Sequence, residues 1–130
     1  MVERSLDWLN QAEKDLEKAK LDLDGGFCEW ACFTAHQAAK KAIKAVFQRI
    51  HGEAWGPGTK ALLENLPYED RSLCIEEAKY LDKFYIPTRY PNGLPQGTPH
   101  EYFTPKEALG AIQAARKIYE WCKGKISQSK

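Results

Sequence analysis

The chain has 130 residues, of which 43% are hydrophobic and 28% charged, and carries a net charge of +1 with histidine neutral. A domain of this size buries roughly two-thirds of the surface its unfolded chain exposes, so it needs neither metal nor disulfide to hold a core. No apolar run approaches the roughly 20 residues that span a bilayer, and Met1-Val2-Glu3-Arg4-Ser5 leads into a charged amphipathic stretch with no signal-like apolar region. The expectation is one cytoplasmic domain over 1–130, without membrane contact, whose four cysteines are buried thiols.

Leu6, Leu9, Ala12, Leu16, Ala19 and Leu23 recur at three- and four-residue steps and predict a helix over 4–23, ended by Gly25-Gly26. The next helix, 27–51, is rich in alanine (Ala31, Ala35, Ala38, Ala39, Ala42, Ala45) among Phe27, Trp30, Phe33, Ile43, Val46 and Phe47. Apolar residues cover most of its circumference, which predicts a central helix touching several neighbours. Trp55-Gly56-Pro57-Gly58 is a turn. Thr59 reads as the N-cap of a short helix over 60–66 that Pro67 stops. A helix over 70–86 follows, with the interrupted stripe Leu73, Glu77, Tyr80, Leu81, Phe84, Tyr85.

Prolines 87, 91, 95 and 99 fall every fourth residue, with Gly93 and Gly97 between them, and predict a non-helical loop over 87–103. A loop that long is usually functional or disordered, and Tyr90, Tyr102 and Phe103 argue against disorder. Thr104-Pro105-Lys106-Glu107 is a capping box with proline at the first helical position, and it opens a last helix over 105–126. The predicted fold is all-α, an up-and-down bundle of four long helices plus one short helix.

Charge is unevenly placed. Residues 1–24 carry seven acids and four bases, and 25–51 carry one acid and four bases. Residues 69–86 are net acidic, and 104–130 carry two acids and six bases. Complementary packing of neighbouring helices explains this pattern, and so does a basic face for an anionic ligand.

Cys28, Cys32 and His36 share a helix face, but eight residues of helix separate the outer two by about 12 Å, too far for one zinc ion. No metal and no cofactor are expected. Cys32, inside Trp30-Ala31-Cys32-Phe33, has a core-like context rather than the electropositive, partly exposed one of a reactive thiol. Lys40, Lys41, Lys44 and Arg49 form a basic stretch suited either to phosphate or to a solvated face. Arg89 and Tyr90 lie between Pro87 and Pro91, which stiffen both flanks. Arg89 is suited to grip a phosphate bidentately, or to pin the loop by pairing with an acid such as Asp15 or Asp82. Trp8 and Trp55 lie off the core stripes, where a partner protein could meet them.

Ala12-Glu13-Lys14-Asp15-Leu16, Trp30-Ala31-Cys32-Phe33-Thr34-Ala35-His36-Gln37-Ala38-Ala39, Leu81-Asp82-Lys83-Phe84-Tyr85-Ile86-Pro87-Thr88-Arg89-Tyr90-Pro91 and the helix around Ala115 to Trp121 follow in order along nearly the whole chain. In this combination the sequence resembles the HEPN family of nucleotide-binding domains. The resemblance implies a helical bundle that pairs with itself, often encoded beside a minimal nucleotidyltransferase in toxin–antitoxin systems. Many HEPN toxins are metal-independent ribonucleases with an Arg-x4-6-His motif. Here Arg49 and His51 have one residue between them, and Arg89 and His100 have ten. The motif is absent, and no catalytic residue is assigned.

The expected function is therefore nucleotide or RNA binding through Arg89, Tyr90, Lys40, Lys41 and Lys44, in a homodimer partnered by a nucleotidyltransferase. The alternatives are a metal-independent ribonuclease with a non-standard Arg89/His100 pair, whose histidine suits general acid–base work near neutral pH, and a non-catalytic dimeric scaffold.

Overall fold

A computed structural model describes residues 3–128. Among the described residues there are six α-helices and two 3-10 turns, with no strand. The helices are α1 (Ser5–Asp24), α2 (Cys28–Arg49), α3 (Thr59–Glu64), α4 (Ile75–Asp82), α5 (Pro99–Tyr102) and α6 (Pro105–Gln128). The all-α bundle is as expected. Cross-helix pairs give its directions. Asp15 meets Lys41 and Asp22 meets Thr34, so α1 and α2 are antiparallel. Glu77 meets Lys117 and Asp70 meets Lys125, so α4 runs against α6. Arg49 donates to the Ile126 carbonyl near the ends of α2 and α6, which run in parallel.

α2 lies at the centre and packs against α1, α3, α4, α5 and α6. Ala31, Ala35, Ala38, Ala39, Ala42 and Ala45 are each fully buried. Without bulk beyond Cβ they let neighbouring helices approach on several sides. Gly110 does the same for α6, because a Cβ there would stand 2.9 Å from the Tyr80 hydroxyl.

Both ends of the α1–α2 hairpin are closed by the same backbone device. Phe27 N–H reaches the Asp22 carbonyl (2.8 Å) and Gly26 N–H reaches Leu23 (3.0 Å), with Gly26 at φ 84°. This is a Schellman closure, in which glycine accepts the left-handed conformation without penalty. After α2, Gly52 N–H reaches Phe47 (2.8 Å) and His51 N–H reaches Gln48 (3.2 Å), but His51 occupies the left-handed position at φ 58°.

The structure departs from the sequence expectation in three places. The helix expected over 70–86 is a 3-10 turn (Glu69–Cys74) running into the eight-residue α4. Phe84 and Tyr85 then bond back three residues instead of four, because Pro87 offers no N–H and disfavours helix in the residue before it. Second, the 87–103 segment is not free of helix. It holds a 3-10 turn (Pro91–Gly93) and α5, which starts on Thr98-Pro99-His100-Glu101 with Glu101 accepting from the Thr98 N–H (3.1 Å). Proline at a first helical position is tolerated because that N–H has no intrahelical partner anyway.

Third, Thr59 is not an N-cap. It is the first helical residue, fully buried, and the cap comes from Asp82 at the end of α4. The Asp82 carboxylate accepts from the backbone N–H groups of Thr59 (2.7 Å) and Lys60 (3.1 Å), the Thr59 hydroxyl (2.7 Å) and His36 Nε2 (2.9 Å). Burial alone would raise this carboxyl, but the hydrogen bonds from His36, Thr59 and Lys60 reverse the effect and hold it at about 2. Asp82 thus joins α2, α3 and α4.

A carboxyl whose folded pKa is depressed contributes stability above its unfolded pKa, near 3.8, and loses it as pH falls toward the folded value. Denaturant unfolding at pH 7, 4 and 2.5 is expected to show about 1.4 kcal/mol lost between the last two, and Asp82→Asn flattens that step. His51→Gly removes the left-handed penalty and is expected to raise stability by about 0.5–1 kcal/mol, read as a higher melting temperature.

Candidate nucleic-acid interface

The half-exposed side of α2 presents Phe33, Lys40, Lys41 and Lys44. The turn after α4 brings Tyr85, Arg89 and Tyr90 against it. Local backbone bonds fix that turn. The Thr88 hydroxyl, nearly fully buried, donates to the Phe84 carbonyl (2.6 Å), and Arg89 Nε donates to the Tyr85 carbonyl (3.0 Å).

The Arg89 guanidinium then lies over three rings, 4.5 Å from Tyr85, 4.7 Å from Phe33 and 5.0 Å from Tyr90. These contacts hold a cation by the negative faces of the rings. Lys40 Nζ stands 5.3 Å above the same Tyr85 ring. Half-burial lowers the Lys40 pKa first, and the neighbouring charges of Lys44, Arg89 and Lys41 lower it further, while Asp82 opposes them. Three cations therefore press on Lys40, and the Asp82 carboxylate that opposes them is already engaged with His36, Thr59 and Lys60.

The residues singled out in the sequence divide accordingly. Arg89, Tyr90 and Lys40 come together. Lys44 sits one turn further along α2, 5.7 Å over the Trp8 ring. Lys41 pairs with Asp15 at 2.7 Å. Among the described residues Arg89 forms an ion pair with neither Asp15 nor Asp82, so the loop is pinned by rings and a carbonyl. Arg49, next in the basic stretch, bonds Glu3 (3.1 Å) and Ser5 (3.1 Å).

Phe33 and Tyr85, which the sequence presents as core residues, form two walls of the cradle. Their positions carry a signal, since Phe33 precedes Lys40 by seven residues on one helix face and Tyr85 precedes Arg89 by four.

A profile of the HEPN domain matches residues 5–125. The chain belongs to the HEPN family. Among solved structures it is similar to TT1696 from Thermus thermophilus, at 40% identity and TM-score 0.89, covering 95% of this chain and 99% of that one. It is also similar to ST0689, an archaeal HEPN homologue, at 40% identity and TM-score 0.82, covering 96% and 99%. A HEPN domain protein from Thermotoga maritima, tm0613, matches at 36% identity and TM-score 0.75, covering 93% and 98%. No curated protein matches the chain.

Among the described residues His100 makes no hydrogen bond, ion pair or ring contact with Arg89. Its Nδ1 lies 3.0 Å from the buried Glu29 carboxylate, and its ring packs on Phe27 at 5.9 Å. Arg89 docks on Phe33, four residues and about 6 Å of helical rise from Glu29. The other sulfur and imidazole groups are structural. His36 is fully buried, with Nε2 given to Asp82 and Nδ1 without a partner. Cys28, Cys32, Cys74 and Cys122 are all buried free thiols. Burial pushes Cys32 up to about 12 and Cys74 to about 11 and raises Cys122, so none is a poised thiolate. Among the described residues no three His, Cys, Asp or Glu side chains group as metal ligands, and no helix is long and apolar enough to cross a membrane.

Alkylation of the native protein at pH 8 is expected to run at least about ten-fold slower than in denaturant. A single fast-reacting cysteine in the folded chain would contradict this assignment.

Proposed function

We propose that this HEPN protein binds a nucleotide or RNA without cleaving it, through Arg89, Tyr90, Lys40 and Lys44, with Lys41 as a weaker contributor. One observation carries the reading. Arg89 and Lys40 are partly buried cations held over aromatic faces, where an acid would ordinarily neutralise them. A phosphate completes such a cluster electrostatically, and Arg offers it a planar fork of donors. Tyr90, about half exposed, offers a ring face for a base. Cleavage would need a proton-transferring group beside the phosphate, and the support for binding alone is that His100 bonds Glu29 and makes no contact with Arg89 among the described residues.

Pairing of two copies and a nucleotidyltransferase partner in a toxin–antitoxin system are proposed from family membership, which is their support. The exposed Phe27, Trp30, Ile86 and Tyr90 beside the cradle are apolar surface available to either.

The test is titration with a nucleotide panel and labelled single-stranded RNA at two salt concentrations, followed by gels of the same RNA. Expected are saturable binding that weakens with salt, and intact RNA. Arg89→Ala and Lys40→Ala each lower affinity about ten-fold, or about 1.4 kcal/mol. Flat titrations at low salt would overturn the reading. Cleavage lost in Arg89→Ala and His100→Ala would favour the ribonuclease alternative.

A further inference from the structure

One turn beyond Lys40, α2 forms the wall of a second feature that the Arg89 cluster does not use. A cleft of about 340 Å³ is lined by Trp8, Lys44, Phe47, Gln48, Glu53 and Trp55. That volume is at the small end of ligand sites, which run from about 300 Å³ upward. Two of the chain's four tryptophans face it, from opposite sources. Trp8 comes from α1 and is half-buried. Trp55 comes from the Trp55-Gly56-Pro57-Gly58 turn and is 79% exposed, the most exposed large apolar side chain described. A second concavity, lined by Arg4, Asp7, Gln11 and Lys41, shares the Trp8 wall.

Trp55 contributes nothing to the core, so the fold gives no reason for an indole there. Lys44 stands over Trp8 as Lys40 stands over Tyr85, at 5.7 and 5.3 Å. The same pairing of cation and ring face therefore occurs twice on α2, four residues or about 6 Å apart. Adjacent cations of this kind follow successive phosphates, and rings beside them stack successive bases.

We infer that the Trp8–Trp55 cleft is a base-stacking subsite and that the ligand is a short single-stranded RNA. The strand runs from the Arg89 cradle along Lys40 and Lys44 into the cleft. The inference rests on the binding function proposed above and extends it from a single nucleotide to a strand. Lys41 and Arg49 are paired with Asp15 and Glu3, so the complementary charge along the path comes from Arg89, Lys40 and Lys44, each held over a ring. Inside the cleft, Glu53 disfavours a phosphate, which places the base there and the phosphate at Lys44. Gln48 and Glu53 then offer an amide and a carboxylate to the edge of the base.

The experiment compares a mononucleotide with an oligoribonucleotide of four residues, using wild-type protein, Trp55→Ala and Arg89→Ala, and follows tryptophan fluorescence as well as affinity. Because Trp55 is so exposed, its removal leaves the fold intact. Expected is tighter binding of the tetramer than of the mononucleotide, with quenching of indole emission. Trp55→Ala removes most of that quenching and weakens the tetramer about five-fold or more, while leaving the mononucleotide unchanged. Arg89→Ala weakens both ligands. Should the tetramer bind no better than the mononucleotide, or Trp55→Ala leave it unaffected, the strand is overturned while the Arg89 site stands. Should neither ligand bind, both readings fall. Should Trp55→Ala instead shift the sedimentation of the protein without touching RNA affinity, the cleft is a contact between protein chains and the subsite is overturned.

Discussion

The geometry at the Arg89 end depends on the Asp82 carboxylate. It takes four hydrogen-bond donors from two other helices, two of them the free backbone N–H groups at the start of α3. A short helix such as α3 has little stability of its own, and an anion at its N-terminus satisfies orphan donors and complements the helix dipole together. The same carboxylate fixes His36 on α2 to the last residue of α4. Three residues later Tyr85 packs against His36 at 5.7 Å and against Phe33 at 6.4 Å. The register of the turn that carries Arg89 is thus set by Asp82, and loosening that carboxylate would loosen the cradle.

The uneven charge along the sequence has two structural answers at once. Much of it is complementary packing. Asp15 with Lys41 joins acidic α1 to basic α2 and Glu3, just before α1, pairs with Arg49, while Glu77 with Lys117 and Asp70 with Lys125 join the 69–82 region to α6. These partly buried pairs fix which faces meet. Arg89, Lys40 and Lys44 are left over rings. A cation–ring contact holds a side chain in place without cancelling its charge, so these three keep their positive field while losing conformational freedom. Ordering before binding lowers the entropy lost when a ligand arrives.

Much of the bundle was legible because helical periodicity reports directly on burial. Some of the misses arise where contacts distant in sequence decided local outcomes, and others are local. Leu6 fits the first stripe by spacing but is 57% exposed, since Ser5 falls in register with Leu9, Ala12, Leu16 and Ala19 and is buried under Arg49. Leu73, expected in the fourth stripe, is 61% exposed because it lies in the 3-10 turn, where the α-helical period does not apply. Thr59 resembles a cap because the residue that caps α3, Asp82, lies 23 positions away. α5 is hidden for a local reason. Thr98-Pro99-His100-Glu101 repeats the pattern of Thr104-Pro105-Lys106-Glu107, and the surrounding prolines and glycines mask it. At the cradle, Arg89, Tyr90 and Lys40 are visible in the sequence as unusual residues, whereas Phe33 and Tyr85 look like ordinary core.

The three histidines bear on what the face can do chemically. His36 lies beneath Tyr85, fully buried and bound to Asp82, where no solvent or substrate reaches it. His51 closes α2 at the opposite end of that helix, eleven residues beyond Lys40. His100 is exposed but oriented by Glu29 toward the start of α2. Around Arg89 the surroundings are rings, carbonyls and ammonium groups, which can orient an anion and screen its charge. A phosphate placed there would meet donors on one side and aromatic faces on the other. Cation and ring pairs of this kind orient an anion by position rather than by neutralising it.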